Sequence, residues 1–407
     1  MLNSSMVSAP TGVSALVRLA KTGRDVVAFK MNGEPHFLVN TPDGAKHVLN
    51  QKSGYSKDTL ANRFIKTEVA DGILTAEGHH WAMQRRMLNP ALKDVAQVRA
   101  VTGRCVEVLI DSFDRIANTG EQVNISAAMS DLTLAVTTRL LFGFDHRPFF
   151  QQCENITARL VNANFASPES DGTMRPYREA LADTICRLRR EPPHDGYPGL
   201  VWHALERSGG ASGQAAIDQV TTLLLAGYET TANSLSWTWI ELTRHPDEYF
   251  RWQRALDDDP DTPDTDAAFK EALRLYPPAW MIGRRALRDD RIGDVTVPAQ
   301  AVVAISPYLL HRHAHYWEQP DKFRPDRFRK LSNAVSHNYA YLPFGAGPRF
   351  CIGSLMAQHE ARVILSTIGR RFHFDAVDLT DPVPDHQFIL RAPAEYLVTV
   401  RRRAGSR

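Results

Sequence analysis

The sequence has few cysteines, four in 407 residues, at positions 105, 153, 186 and 351. None has a CxxC partner and the chain is long, which argues against a disulfide framework or a structural zinc site and fits a reducing, cytoplasmic compartment. The opening stretch MLNSSMVSAPTGVSALVRLAKTGRD has neither an apolar run long enough to cross a bilayer nor the basic start and cleavage site of a secretory signal, so no membrane partner is expected. An excess of one charge is missing as well. The 48 Lys and Arg against 46 Asp and Glu leave a formal +2, and no RNA or DNA motif accompanies it, so nucleic acid is not an expected partner. There are no internal repeats and no GxSxG, GxxxxGK[ST] or GxGxxG motif, which removes the usual signatures of serine hydrolases, P-loop enzymes and dinucleotide binders. The single low-complexity run, DDDPDTPDTD at 257–266, reads as a solvated loop.

Hydrophobic residues make up 43% and charged residues 23%, ordinary proportions for a globular protein with a large core. Length alone would allow two or three domains. Residues 24–50 show β-rich runs around an Asn-Gly turn, followed by TPDGA opening a short helix. Helical periodicity dominates from 77 to 250, with amphipathic stretches near 95–117, 123–143, 151–164 and 175–189 and a long apolar helix at 214–245. The β signal returns at 283–305 and in EYLVTV near the C-terminus. Small β, many helices, small β describes a mainly α, α+β fold rather than alternating βαβ units.

Cys351 differs from the other cysteines in its surroundings, YLPFGAGPRFCIGSLMAQHE at 341–360. A lone cysteine is most often a buried core thiol. Here, glycines at 345, 347 and 353 let the backbone turn tightly and let a flat ligand approach, and a helix starting near Gly353 would aim its positive end at the sulfur, favouring a thiolate. With no second cysteine or nearby ligating histidine, such a thiolate is a poor zinc site and a good single axial ligand for haem iron.

FGAGPRFCIG resembles the haem-binding loop of the cytochrome P450 family. The resemblance implies that Cys351 is the proximal thiolate and the metal ligand, that Phe344 packs beside the porphyrin, that Arg349 meets a propionate, and that Gly345 and Gly353 lie close to the cofactor. Upstream, FKEALRLYPP carries Glu271 and Arg274 three apart on one helical face, by itself no more than an exposed ion pair. It is similar to the family's ExxR helix, whose pair is joined by an arginine, here Arg327 of FRPDRF, with Asp326 where the family more often has Glu. Glu271, Arg274 and Arg327 would then form a structural triad holding the cysteine loop.

LLLAGYETTANS at 223–234 puts a glycine and two threonines inside the long helix, where glycine costs about 1 kcal/mol against alanine. Taken alone it is a close helix crossing; the functional reading is a local widening over a flat cofactor. The segment is similar to the family's AGxET, which assigns water organisation to Thr230 and proton relay to Glu229 and sets Ala226 against the haem. Trp81 and Arg85 of HHWAMQRRML resemble the family's WxxxR helix, and Arg284, with Arg285 as the neighbouring alternative, matches a second propionate ligand. HRHAHYW at 311–317 offers His311, His313 and His315 at alternate positions, a possible zinc set, but is similar to a family loop without a metal role.

The resemblance implies one cytochrome P450 domain over 25–407 behind an N-terminal segment, 1–24, that is partly flexible. It further implies haem b, dioxygen as co-substrate, and electrons from NAD(P)H through a separate ferredoxin or flavodoxin and its reductase, with the protein acting as a monomer. A pocket lined by Phe64, Val69, Phe165, Gly227, Trp280, Met281 and Phe388 suits a medium-sized, largely apolar secondary metabolite, oxidised by hydroxylation or by intramolecular bond formation. The alternative is a haem-containing sensor or small-molecule-binding protein.

Overall fold

A computed structural model describes residues 7–8, 13–31, 33–51, 53–143, 213–329, 337–386 and 389–403, together with Glu179 and Gly199. The expected helix at 151–164, that at 175–189 apart from Glu179, and the pocket candidates Phe165 and Phe388 lie outside the described residues.

The chain begins with β1 (Val7–Ser8) and α1 (Val13–Ala20), then the hairpin β2 (Val26–Met31) and β3 (Glu34–Val39), turned at Gly33 with φ +78°. The described residues before 25 pack onto the hairpin: β1 pairs in parallel with β2, and Leu16 and Leu19 of α1 are buried against Phe29 and Leu38. Thr41 caps α2 (Pro42–Asn50) by accepting the Gly44 N–H, with Pro42 at the first helical position where its missing donor costs nothing. β4 (Tyr55–Ser56) leads into α3 (Leu60–Val69), capped by Thr59, which accepts from the Asn62 N–H. α4 (Gly78–Leu88) carries Trp81 and Arg85.

The helical mass follows. α5 (Val95–Thr119) starts on the Asp94 cap and stops at Gly120 in the left-handed region; after β5 (Gln122–Asn124), α6 (Ile125–Phe142) starts on Asn124 and stops at Gly143 in the same way. Among the described residues α6 is the one helix long and apolar enough to cross a membrane by length and composition, and 61% of it is buried, between α5 and the 32-residue α7 (Gly213–Arg244). Its apolar character is that of a core helix. α8 (Pro246–Asp258) and α9 (Pro263–Leu275) pack on α7, and α10 (Ser354–Arg371) lies along α5. One large core joins these helices around Trp237, Trp239, Tyr249 and Trp252.

Between α9 and α10 the chain returns to the sheet through β6 (Ile282–Ala286), the small hairpin β7 (Asp290–Ile292) and β8 (Val295–Val297), and β9 (Val302–Ile305). The main sheet has the order β1-β2-β3-β9-β6-β4. β10 (Phe372–Ala376) and β13 (Leu397–Arg402) form a second sheet with β5, and β11 (Asp385–His386) and β12 (Leu390–Arg391) form a last hairpin. The fold is mainly α with small sheets, as the sequence pattern implied.

Candidate functional site

Cys351 sits where the main sheet, α4, α7 and α10 converge on a cavity of about 1070 Å³. The loop before it is folded by two glycines in the left-handed region, Gly345 at φ +71° and Gly347 at +69°. Gly347 allows no alternative, because a Cβ there would stand 2.1 Å from the Leu49 carbonyl oxygen. The Cys351 N–H closes the loop onto Phe344 O at 2.9 Å, and α10 starts immediately beyond Gly353. The sulfur is open to the cavity but enclosed by protein.

That enclosure corrects one expectation. Burial pushes the Cys351 thiol up, while the Gly353 and Ser354 N–H groups and Arg85 pull it down without winning. The helix start alone does not create a thiolate; a coordinated cation would, since a metal-bound thiol is deprotonated outright.

Trp81, Arg85, Ala226, Gly227, Thr230, Trp280, Met281, Arg284, Phe344, Gly345, Arg349 and Gly353 all line the same cavity. Four cations gather on one of its walls. Arg349 lies 4.2 Å over the Trp81 ring and 4.0 Å from Glu77, and its buried Nη1 has no partner. Arg284 donates to its neighbour's Gly283 carbonyl at 2.9 Å, and Arg85 to Phe350 O at 2.8 Å. Arg285, the alternative to Arg284, is tied outwards to Asp58 O, Gln300 O and Glu34, so Arg284 is the arginine of the cavity.

The fourth cation, Lys57, was not singled out in the sequence, where a lysine between a short strand and a helix carries no pattern. Its Nζ donates to Leu74 O and its N–H to Glu77. Burial, with Arg284 and Arg349 close by, pulls Lys57 down to about 7 against the pull of Glu77. Burial, with Arg349 close to Arg284 and Arg85 close to Arg349, likewise brings Arg284 and Arg349 down to about 10. With Glu77 as the carboxylate that opposes these shifts, the wall is short of negative charge and fits the carboxylates of a bound cofactor.

On α7 the residues that were expected to act together part company. The helix is α throughout, without the expected widening; the Thr230 and Thr231 hydroxyls instead donate to the carbonyls of Ala226 at 2.7 Å and Gly227 at 2.9 Å, one turn back. Thr230 faces the cavity. Glu229 does not: it pairs with Arg391 of β12, and its backbone oxygen accepts from Asn233, whose side chain also receives the Ala392 N–H at 2.8 Å. Burial pushes the Glu229 carboxyl up, and Arg391 opposes it.

Phe64 and Val69 are not in the cavity wall either. The stretch around 56–76 contains α3, whose Ala61 and Ile65, one turn apart, line the cavity, whereas Phe64 is not among the lining residues and Val69 is buried.

Glu271 and Arg274 are both fully buried, joined by two hydrogen bonds of 2.8 Å, and Arg327 reaches the same carboxylate at 3.2 Å. The remaining Arg274 donors go to the carbonyls of His311, Pro320 and Lys322. His311 is the link to the cysteine loop: its Nδ1 donates to Arg274 O at 3.0 Å and its Nε2 accepts the Leu342 N–H at 2.7 Å. Both ring nitrogens are thus used, burial drives the ring down to about 3, and no metal-binding cluster exists among the described residues.

A sequence model of the family described as Cytochrome P450 matches residues 6–170 and 205–400. Cyclooctatin synthase from Streptomyces melanosporofaciens is 30% identical over 402 residues, covering 90% of this chain and 87% of its own. The protein LUTEIN DEFICIENT 5, chloroplastic, of Arabidopsis thaliana is 28% identical over 396 residues, with 85% of this chain matched to 66% of that longer protein. The crystal structure of CYP175A1 from Thermus thermophilus superposes with a TM-score of 0.78 at 27% identity, covering 96% of this chain and 95% of the other.

Proposed function

The chain belongs to the cytochrome P450 family, oxidoreductases of the monooxygenase type that use a haem-thiolate and dioxygen, and we propose that it oxidises a medium-sized, largely apolar secondary metabolite in this cavity. The reading rests on one observation above the others: a sulfur opens into a cavity whose wall carries buried cations in excess, one of them with an unpaired Nη1. Cys351 would hold the iron of haem b, Phe344 and Trp81 would pack on the macrocycle, and Arg85, Arg284, Arg349 and Lys57 would meet its carboxylates. When bound, haem supplies dioxygen activation, with the thiolate pushing electron density toward O–O cleavage.

The chain's own contributions are exclusion and proton handling. The apolar wall keeps bulk solvent from the reacting centre. The Thr230 hydroxyl, its proton engaged by Ala226 O, offers its lone pairs to a cavity water. Glu229, held by Arg391 and raised by burial, is the nearest acid in sequence to supply that water with protons. Glu271, Arg274, Arg327 and His311 position the loop.

The relative named as a synthase of cyclooctatin supports a secondary-metabolite substrate; hydroxylation and intramolecular bond formation both suit the site. Electrons would come from NAD(P)H through a ferredoxin or flavodoxin and a reductase in the cytoplasm. Residues 25–407, with β1 and α1 packed onto them, would work as one domain and as a monomer. The test is Cys351→Ser. Loss of the red-shifted absorption band of the reduced carbon monoxide complex is expected; an unchanged band overturns the haem-thiolate assignment.

A further inference from the structure

The cavity extends past the cysteine loop to the main sheet. In the sheet register Phe29 lies opposite His36, and His36 lies beside Val302, so the three side chains share one face. All three line the cavity, with Ala304 two residues further along β9. His36 is 6% exposed, and its ring rests 5.3 Å from that of Phe29. Its Nδ1 lies 3.0 Å from Glu34 O. A carbonyl oxygen can only accept, so Nδ1 carries the hydrogen and Nε2 keeps a bare lone pair. No described residue donates to that nitrogen. Burial keeps the ring neutral, Arg285 adds to this, and Glu34 opposes it.

From these observations we propose that His36 is a specificity residue: its Nε2 accepts a hydrogen bond from a hydroxyl at the end of the substrate remote from Cys351. A buried acceptor on a wall of apolar side chains selects for a donor, because a ligand without one leaves the lone pair unpaired. A carboxylate is repelled by that lone pair, and a charged group of either sign would have to shed its water to enter a wall of apolar side chains, so the matching head group is a neutral alcohol. The substrate is also elongated. His36 is two strands across from Arg285, and Arg285 is three residues from Ile282, which places His36 on the order of 14 Å from Ile282 at sheet spacings. Ile282 in turn lies against the cysteine loop, its Cδ1 3.8 Å from where a Cβ on Gly345 would stand.

The inference rests on the cavity being the substrate site of a haem enzyme, and the experiment separates the two. Holoenzyme is titrated with 1-dodecanol and with dodecane, following the haem spin-state change, in the native protein, His36→Phe and His36→Gln. The native protein should bind the alcohol about tenfold more tightly than the alkane, the worth of one hydrogen bond. His36→Phe should abolish that preference with alkane affinity retained, and His36→Gln, which keeps an acceptor, should restore part of it. Native preference for the alcohol that survives in His36→Phe, or no preference in the native protein, overturns the role of His36. Failure of both probes to perturb the native haem overturns the substrate site itself, and the inference with it.

Discussion

Glu229 and Thr230 are adjacent on α7, yet one helical step turns the hydroxyl into the cavity and the carboxyl toward Arg391. The two effects on Glu229 have opposite signs: burial raises its proton affinity and the guanidinium lowers it. Replacing Arg391 by Met removes the second and leaves the first, so the carboxyl stays protonated to higher pH. The limb of the pH–activity profile that Glu229→Gln abolishes should therefore move to the alkaline side in Arg391→Met; a limb that stays in place excludes Arg391 as the residue that tunes this acid. The sequence made Glu229 and Thr230 legible because both types stand in one short motif. It could not show Arg391, 162 residues later on a two-residue strand, nor Lys57 and His36. Each of those three owes its significance to what the fold places beside it.

Elements were legible in proportion to their local signals. α5, α6 and α7 start and stop within a few residues of where their apolar periodicity puts them, and the β2–β3 hairpin turns through Gly33. α3 was missed although Thr59 caps it and its apolar residues Leu60, Ala61, Phe64, Ile65 and Val69 fall on one side of the helix. The ExxR spacing on α9 was readable, whereas the Pro320 and Lys322 carbonyls that complete Arg274 come from an aperiodic connection. That completeness has a consequence for stability. With three carbonyls and one carboxylate around it, Arg274 is a satisfied buried cation, and Glu271→Gln leaves its charge unopposed. A buried pair broken from one side costs roughly 3–5 kcal/mol. Denaturant unfolding of Glu271→Gln should show that loss together with reduced haem retention, because α9 anchors the cysteine loop through His311. A loss below about 1 kcal/mol, the range of exposed pairs, would mean that the triad does not carry the loop.

Across the whole molecule two buried titratable groups bear on the pH dependence of stability. Glu360 on α10 is fully buried with both carboxyl oxygens unpartnered, and burial pushes it from 4.5 up to about 8. Between those values the folded protein holds a proton that the unfolded chain has released, so raising the pH favours unfolding. His311 works the other way: driven from 6.5 down to about 3, it is neutral when folded and protonated when unfolded, so lowering the pH through that window favours unfolding. Where the windows overlap, from 4.5 to 6.5, the two slopes oppose each other and their sum is flat. Above 6.5 Glu360 acts alone of the two, and at pH 7 its accumulated cost is roughly 3 kcal/mol at 1.36 kcal/mol per pH unit. Glu360→Gln keeps the shape and cannot ionise. Its stability relative to the native protein, measured by denaturant unfolding at pH 5, 6, 7 and 8, should rise by a similar increment at each step. A difference that stays constant across that series would mean that a partner inside the folded protein already satisfies the Glu360 carboxylate.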